Sequence, residues 1–217
     1  MYSWVAGPAT LLNDMGFYRE QVLPRAIDKM LGGEAITRIR REATEGLHGD
    51  VVEIGFGSGL NVPVYPSAVR RVYAVDPALV GRKLAADRVT ASPVDVEYVG
   101  LDGQHLPLAD DSCDAALSTF TLCTVPDPTQ ALTELRRVLK PGGRLHLLEH
   151  GLARDAGVAR WQGRLNPIQR RLGDGCHLDR DHRELVATAG FEITEHREWY
   201  VPGPKPMSAF YLIVAAS

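Results

Sequence analysis

Short apolar runs alternate with amphipathic stretches through the middle of the chain. Asp50–Ile54, Arg71–Val75, Val94–Val99, Cys113–Ser118 and Arg144–Glu149 have the length and Val/Leu/Ile/Ala content of strands. Between them, Leu79–Thr90 fits a helix. Asp127-Pro128-Thr129-Gln130 reads as the start of another, with Asp127 as N-cap, Pro128 at N1 and Gln130 at N3. Its apolar stripe is Leu132, Leu135, Val138 and Leu139, and Pro141-Gly142-Gly143 ends it. This alternation predicts a parallel α/β sheet. A helix from Asp179 to Ala189, capped by Asp179 and stopped at Gly190, then leads to strands Phe191–Tyr200 and Met207–Ala215. The Pro202-Gly203-Pro204-Lys205-Pro206 link is too short for a parallel crossover, so these last strands form an antiparallel hairpin. At the front, Asn13–Gly46 reads as a helical preface with Tyr18, Val22, Ala26 and Met30 four apart, broken at Pro24 and Gly32-Gly33.

The 217 residues parse as one domain: a helical preface (1–46), a core (47–150) and a terminal segment (151–217). With 24 basic and 27 acidic side chains the formal charge is −3, and no Lys/Arg run appears, which argues against a nucleic-acid partner. Cys113, Cys123 and Cys176 form no CxxC pair, so neither a disulfide framework nor a zinc ribbon is indicated, and a reducing cytoplasm fits. Apolar runs of the roughly 18 residues that span a membrane are missing.

Strand Asp50–Ile54 runs into Gly55-Phe56-Gly57-Ser58-Gly59, whose glycines allow a tight turn against a ligand. Asp76 ends the next strand 21 residues after Gly55, where nucleotide-binding units place the carboxylate that holds a ribose. Asp102 follows the third strand, again at the edge where open α/β sheets bind ligands. A dinucleotide would put pyrophosphate over the loop, and Glu53 would repel it if it faced the site. The balance favours a sulfonium cofactor, with an NAD-dependent oxidoreductase as the alternative.

Val51-Val52-Glu53-Ile54-Gly55-Phe56-Gly57-Ser58-Gly59, Tyr73-Ala74-Val75-Asp76-Pro77, Leu101-Asp102-Gly103-Gln104-His105-Leu106-Pro107 and Leu139-Lys140-Pro141-Gly142-Gly143 together resemble the class I S-adenosylmethionine-dependent methyltransferases over roughly residues 50 to 150. The resemblance implies a Rossmann-like α/β fold whose seven-stranded sheet has one antiparallel strand. It also implies S-adenosyl-L-methionine as cofactor and S-adenosyl-L-homocysteine as product. Gly55, Gly57 and Gly59 would wrap the amino-acid end, with Glu53 organising the loop, Phe56 packing on the ligand and Asn61 alongside. Asp76, followed by Pro77, would hold the ribose, Asp102, Gly103 and Gln104 the adenine edge, and Thr119 or Phe120 the methionine moiety. Leu122-Cys123-Thr124-Val125, Leu148-Glu149-His150-Gly151 and Asp174-Gly175-Cys176-His177-Leu178-Asp179-Arg180 resemble the methyltransferase-like thiol S-methyltransferases. Asn61-Val62-Pro63-Val64-Tyr65-Pro66 is also similar to small phospholipid and quinone methyltransferases.

The acceptor is therefore expected to be a small molecule, with a thiol ahead of amines, phospholipid head groups and quinol rings. A thiol is partly ionised near neutrality and needs no strong base. A non-catalytic cofactor-binding module stays open. His150 is the first catalytic candidate, because Glu149 and His150 point to opposite strand faces, and His177 is the second. Trp161, Asp174, Cys176 and Trp199 are the expected acceptor wall. His146 shares the parity of His150, but without a third convergent ligand no metal site is expected. The preface is expected to cover the cofactor, with Tyr2, Trp4, Phe17 and Tyr18 as aromatic contacts and Tyr2–Asn13 mobile. The resemblance to the thiol enzymes implies an N-terminal apolar anchor; no such run is read at Met1–Gly7, so a soluble or loosely peripheral enzyme is expected.

Overall fold

The computed structural model describes residues 16–217. After a π-helical turn at Tyr18–Val22 come α1 (Leu23–Leu31), α2 (Glu34–Thr44), β1 (Gly49–Ile54), β2 (Val69–Val75), α3 (Leu79–Thr90), β3 (Asp95–Gly100) and β4 (Cys113–Thr119). The chain continues through α4 (Pro128–Val138), β5 (Leu139–His150), α5 (Ala156–Leu172), α6 (His182–Thr188), β6 (Glu192–Tyr200) and β7 (Ala209–Ala216). The strands form one sheet in the order β3-β2-β1-β4-β5-β7-β6. β1 to β5 are parallel, and β7 runs antiparallel to both β5 and β6, as the short proline-rich link requires.

β4 sits at the centre with every residue but Asp114 buried, which is why it reads as a continuous apolar run. The pleat divides β1 between two cores: Val52 and Ile54 pack with Leu132, Leu135 and Val138 of α4, whereas Val51 packs with Ala85 of α3 and Val62. The strand order reverses between β1 and β4, so the loops leaving β1, β2, β3 and β4 converge on one crevice at the carboxyl edge.

Several boundaries differ from the sequence reading. α4 is capped by Asp127, whose carboxylate accepts from Gln130 N–H at 2.9 Å, as its spacing predicts. It ends at Val138, and β5 begins at Leu139 because Leu139 already pairs with Cys113, with a register shift absorbing Pro141-Gly142-Gly143. α6 is capped by Asp181, which accepts from the Arg183 and Glu184 N–H groups; Asp179 instead accepts from Asn166 at 2.7 Å. The preface stripe is shifted as well. Met30 is 69% exposed and Val22 and Ala26 are exposed too, while Leu23, Ile27 and Leu31 turn toward the crevice. No helix among the described residues is long and apolar enough to cross a membrane.

Candidate active site

A cavity of about 470 Å³ fills the crevice. Its wall comes from the β1 loop (Gly55, Phe56, Gly57, Ser58, Asn61), Asp76, Pro77 and Ala78 after β2, and Leu101 to Gln104 after β3. Phe120, Thr121 and residues 124 to 126 after β4 add a third side. Leu23, Pro24, Ile27 and Leu31 of α1, Arg40 of α2, and Gly173 and Asp174 after α5 complete it.

Glycine is required where these loops meet. Gly55 has φ of +70°, and a Cβ there would lie 1.8 Å from Thr121 Oγ1. Among the described non-glycine residues with positive φ, Phe120 (55°) and Asp174 (50°) both stand in the cavity wall. Such conformations persist where the surroundings hold them. Phe120 is held by its N–H to Leu148 O at 2.8 Å and by edge-on packing against Phe210.

Asp76 joins two of the loops. One oxygen accepts from Gly57 N–H at 2.8 Å and the other from Ala78 N–H at 2.7 Å, while burial shifts its pKa upward. Asp102 is more exposed; its hydrogen bond with His105, helped by Gln104, holds its carboxyl at about 2.

Below the glycine loop lies a buried network that ties the preface to the sheet. Arg40 donates to Asn61 Oδ1 at 2.9 Å and Thr119 Oγ1 at 2.7 Å, and Asn61 donates to Glu53 Oε1 at 2.9 Å. The Tyr65 hydroxyl donates to the other Glu53 oxygen. Glu53 therefore supports the loop from beneath, with 1% exposure, and does not itself line the cavity. Burial pushes its carboxyl up to about 7, although Tyr65, Asn61 and Arg40 favour the charged form. The folded state thus keeps a proton that the unfolded chain releases near the ordinary carboxyl value of 4.5, so this group's contribution to stability falls as pH rises from there to about 7. In denaturant titrations without cofactor, Glu53→Gln removes that slope, a difference of up to about 3 kcal/mol between pH 4.5 and 7. Parallel stability profiles for the two proteins would show that Glu53 ionises normally.

Of the expected cofactor residues, Gly55, Phe56, Gly57, Asn61, Asp76, Pro77, Asp102, Gly103, Gln104, Thr119 and Phe120 line the cavity; Gly59, like Glu53, lies beneath it. The expected acceptor residues are less united. Asp174 is in the wall, but His150, His177, Trp161, Cys176 and Trp199 are not. Trp161 is 56% exposed on α5 under the Arg164 guanidinium, and Trp199 packs against Phe210 and Arg197. His177 approaches Asp179 and donates its backbone N–H to Cys123 O. His150 Nε2 lies 3.0 Å from Cys176 Sγ behind the wall. Glu149 is fully buried, accepting from Ser118 Oγ and the N–H groups of Thr121 and Leu122, so it shapes the β4 loop. The His146 ring bonds to Ala43 O and has no part in the crevice. Phe17 and Tyr18 do not line the cavity, and Tyr2, Trp4 and Tyr2–Asn13 lie outside the described residues. Sequence reading missed Arg40, Thr121 and the apolar face of α1.

Residues 52–147 match the family described as Methyltransferase domain. The chain is 34% identical to the human thiol S-methyltransferase TMT1B over 170 residues, covering 72% of this chain and 68% of that protein. The chain belongs to the class I S-adenosylmethionine-dependent methyltransferases. The rat thiol S-methyltransferase TMT1B is 33% identical over 159 residues, covering 70% of this chain; the methyltransferase described here spans 63% of the rat protein's length. The fold also matches that of an S-adenosylmethionine-dependent methyltransferase from Thermotoga maritima, with TM-score 0.66, 24% identity, and coverage of 93% of this chain and 99% of that chain. Membership bears out the sulfonium cofactor over the alternative dinucleotide reading of the glycine loop. The cofactor is S-adenosylmethionine, and the crevice fits it: Gly57 lines the cavity, where a Cβ would meet only Gly55 O at 3.8 Å, Asp76 offers a carboxylate between two loops, and Arg40 is a cation in the wall.

Proposed function

We propose that this methyltransferase acts on the sulfur of a small thiol. One observation carries the reading. Among the described residues the cavity wall contains no histidine, lysine, tyrosine or cysteine, and its ionisable groups are Arg40, Asp76, Asp102 and Asp174. An amine, phenol or carbon acceptor needs a base of intermediate pKa, whereas a thiol near pKa 8.5 ionises unaided to a few per cent at neutrality. The names of the rat and human relatives support the same acceptor.

When bound, S-adenosylmethionine supplies an electrophilic methyl group on a sulfonium. Asp76 would hold the ribose hydroxyls, Asp102, Gly103 and Gln104 would meet the adenine, and Gly55, Gly57 and Arg40 would receive the amino-acid end. Thr119 and Phe120 would border the methionine portion. Thr121, Thr124, Val125 and Asp174 enclose the acceptor and exclude water, so the chain contributes orientation more than proton transfer. His150 and His177 stand outside this wall, His150 on Cys176 and His177 beside Asp179, and neither is given a proton to move. The three cysteines are free, which suits work on thiols in a reducing cytoplasm.

Without an enzyme base, kcat/KM rises with pH until the acceptor itself is ionised. Two thiols of different pKa therefore show breaks displaced by that pKa difference when S-adenosylhomocysteine release is followed. A common break for both thiols would assign the titration to the enzyme, and methylation of amines or phospholipids in place of thiols would overturn the acceptor.

A further inference from the structure

Behind the cavity wall, Cys123, His150 and Cys176 converge from three separate segments: the β4–α4 loop, the end of β5 and the α5–α6 loop. Their donor atoms all lie within 4.8 Å of one another. Cys123 Sγ and Cys176 Sγ are 3.9 Å apart, and His150 Nε2 is 3.0 Å from Cys176 Sγ. Two sulfurs bound tetrahedrally to one zinc at about 2.3 Å stand about 3.8 Å apart, and a sulfur and an imidazole nitrogen about 3.5 Å. The sulfur pair already has the spacing of such an edge, and the imidazole needs only a small outward shift. Both cysteines are buried, at 2% and 8% exposure, and His150 is partly buried.

We propose that Cys123, His150 and Cys176 form a binding site for a thiophilic divalent cation of the zinc class. Two sulfurs and one imidazole make a soft donor set, and loss of the two thiol protons on binding neutralises the cation's charge. A fourth position remains for water or another outside ligand. The site would pin the acceptor side of the crevice. Cys123 Sγ lies 3.5 Å from the hydroxyl of Thr124, a wall residue, and Cys176 follows Gly173 and Asp174, which also stand in the wall. Arg180, donating to Leu122 O, already fastens the loop after α5 to the β4 loop, so the ligands come from segments that are in contact without the ion.

The test uses untagged protein purified under reducing conditions. Bound zinc is measured by elemental analysis after dialysis, and Co²⁺ is used as a spectroscopic substitute. One zinc per chain and intense sulfur-to-cobalt charge-transfer absorption are expected. Cys123→Ser and Cys176→Ser each weaken zinc binding roughly tenfold or more, whereas Cys113→Ser retains it, since Cys113 lies elsewhere beside Ser112. Circular dichroism of each variant checks that it is folded. Absence of zinc and of cobalt charge transfer in folded wild type, or equal metal affinity in folded Cys176→Ser, overturns the site. The readout needs no methyl acceptor, so a protein that binds zinc but methylates no thiol refutes the proposed function and leaves this inference standing.

Discussion

Asp76→Ala lowers affinity for S-adenosylmethionine by roughly a hundredfold. A carboxylate offers about four lone-pair sites, and Asp76 uses two of them on Gly57 and Ala78 N–H. Two remain for ribose hydroxyls. Charge-assisted hydrogen bonds contribute about 1.5–3 kcal/mol each, so losing the pair costs about 3 kcal/mol even after partial compensation, which is about two powers of ten in Kd. Calorimetric titration with S-adenosylhomocysteine measures the same contact without turnover. The pH break for a thiol acceptor stays where it was, because Asp76 transfers no proton in this account. Affinity within about threefold of wild type would detach Asp76 from the ribose.

Arg40→Met gives the second large effect, on stability and cofactor binding together. Arg40 is 4% exposed and donates to both Asn61 and Thr119, and burial lowers its pKa to about 10, so it stays charged at neutral pH. Removing it leaves Asn61 Oδ1 without its donor, takes a charged hydrogen bond from Thr119, which still accepts from Asn61, and removes the cation near Glu53. One stranded buried acceptor costs about 1–3 kcal/mol and a lost charged hydrogen bond about 1.5–3 kcal/mol, so the loss is roughly 3 kcal/mol. For a chain of this length that lowers Tm by about 6–12 °C. Because Arg40 also lines the cavity, affinity for the cofactor falls with it. An unchanged Tm would show that the network beneath the glycine loop bears no load.

The parts of this structure visible in the sequence are those set by local rules. β1 and β4 are short apolar runs because they lie inside the sheet and are buried along most of their length, and Asp127-Pro128 caps α4 by contacts within one turn. The acidic ends of β2 and β3 follow from where parallel strands stop. α5 escaped apolar periodicity because its inward face is polar. Val158, Gln162 and Asn166 are its buried residues, and the two amides hydrogen-bond to Gly151, Ala153, Leu178, Asp179 and Pro206. Trp161, Ile168 and Leu172 on the same helix face outward. The cap of α6 was misassigned for a related reason. Asp179 and Asp181 are equally good local candidates, and only the tertiary bond from Asn166 directs Asp179 elsewhere.

Long-range pairings account for the rest. Arg40 reaches Thr119 across 79 positions, and Cys123, His150 and Cys176 are separated by 26 to 53 positions, so no spacing motif announces either group. The parity argument correctly sent Glu149 and His150 to different partners, yet strand parity does not say whether a side chain reaches the crevice. Here both are intercepted first, Glu149 by the β4 loop and His150 by Cys176.

The most direct measurement supplies the protein with methyl-deuterated S-adenosylmethionine and a small thiol, then determines both products by mass spectrometry. A thioether carrying the deuterated methyl on sulfur, formed in equal amount with S-adenosylhomocysteine, is the expected product. Unmodified thiol and no S-adenosylhomocysteine from protein that binds the cofactor would contradict thiol methylation.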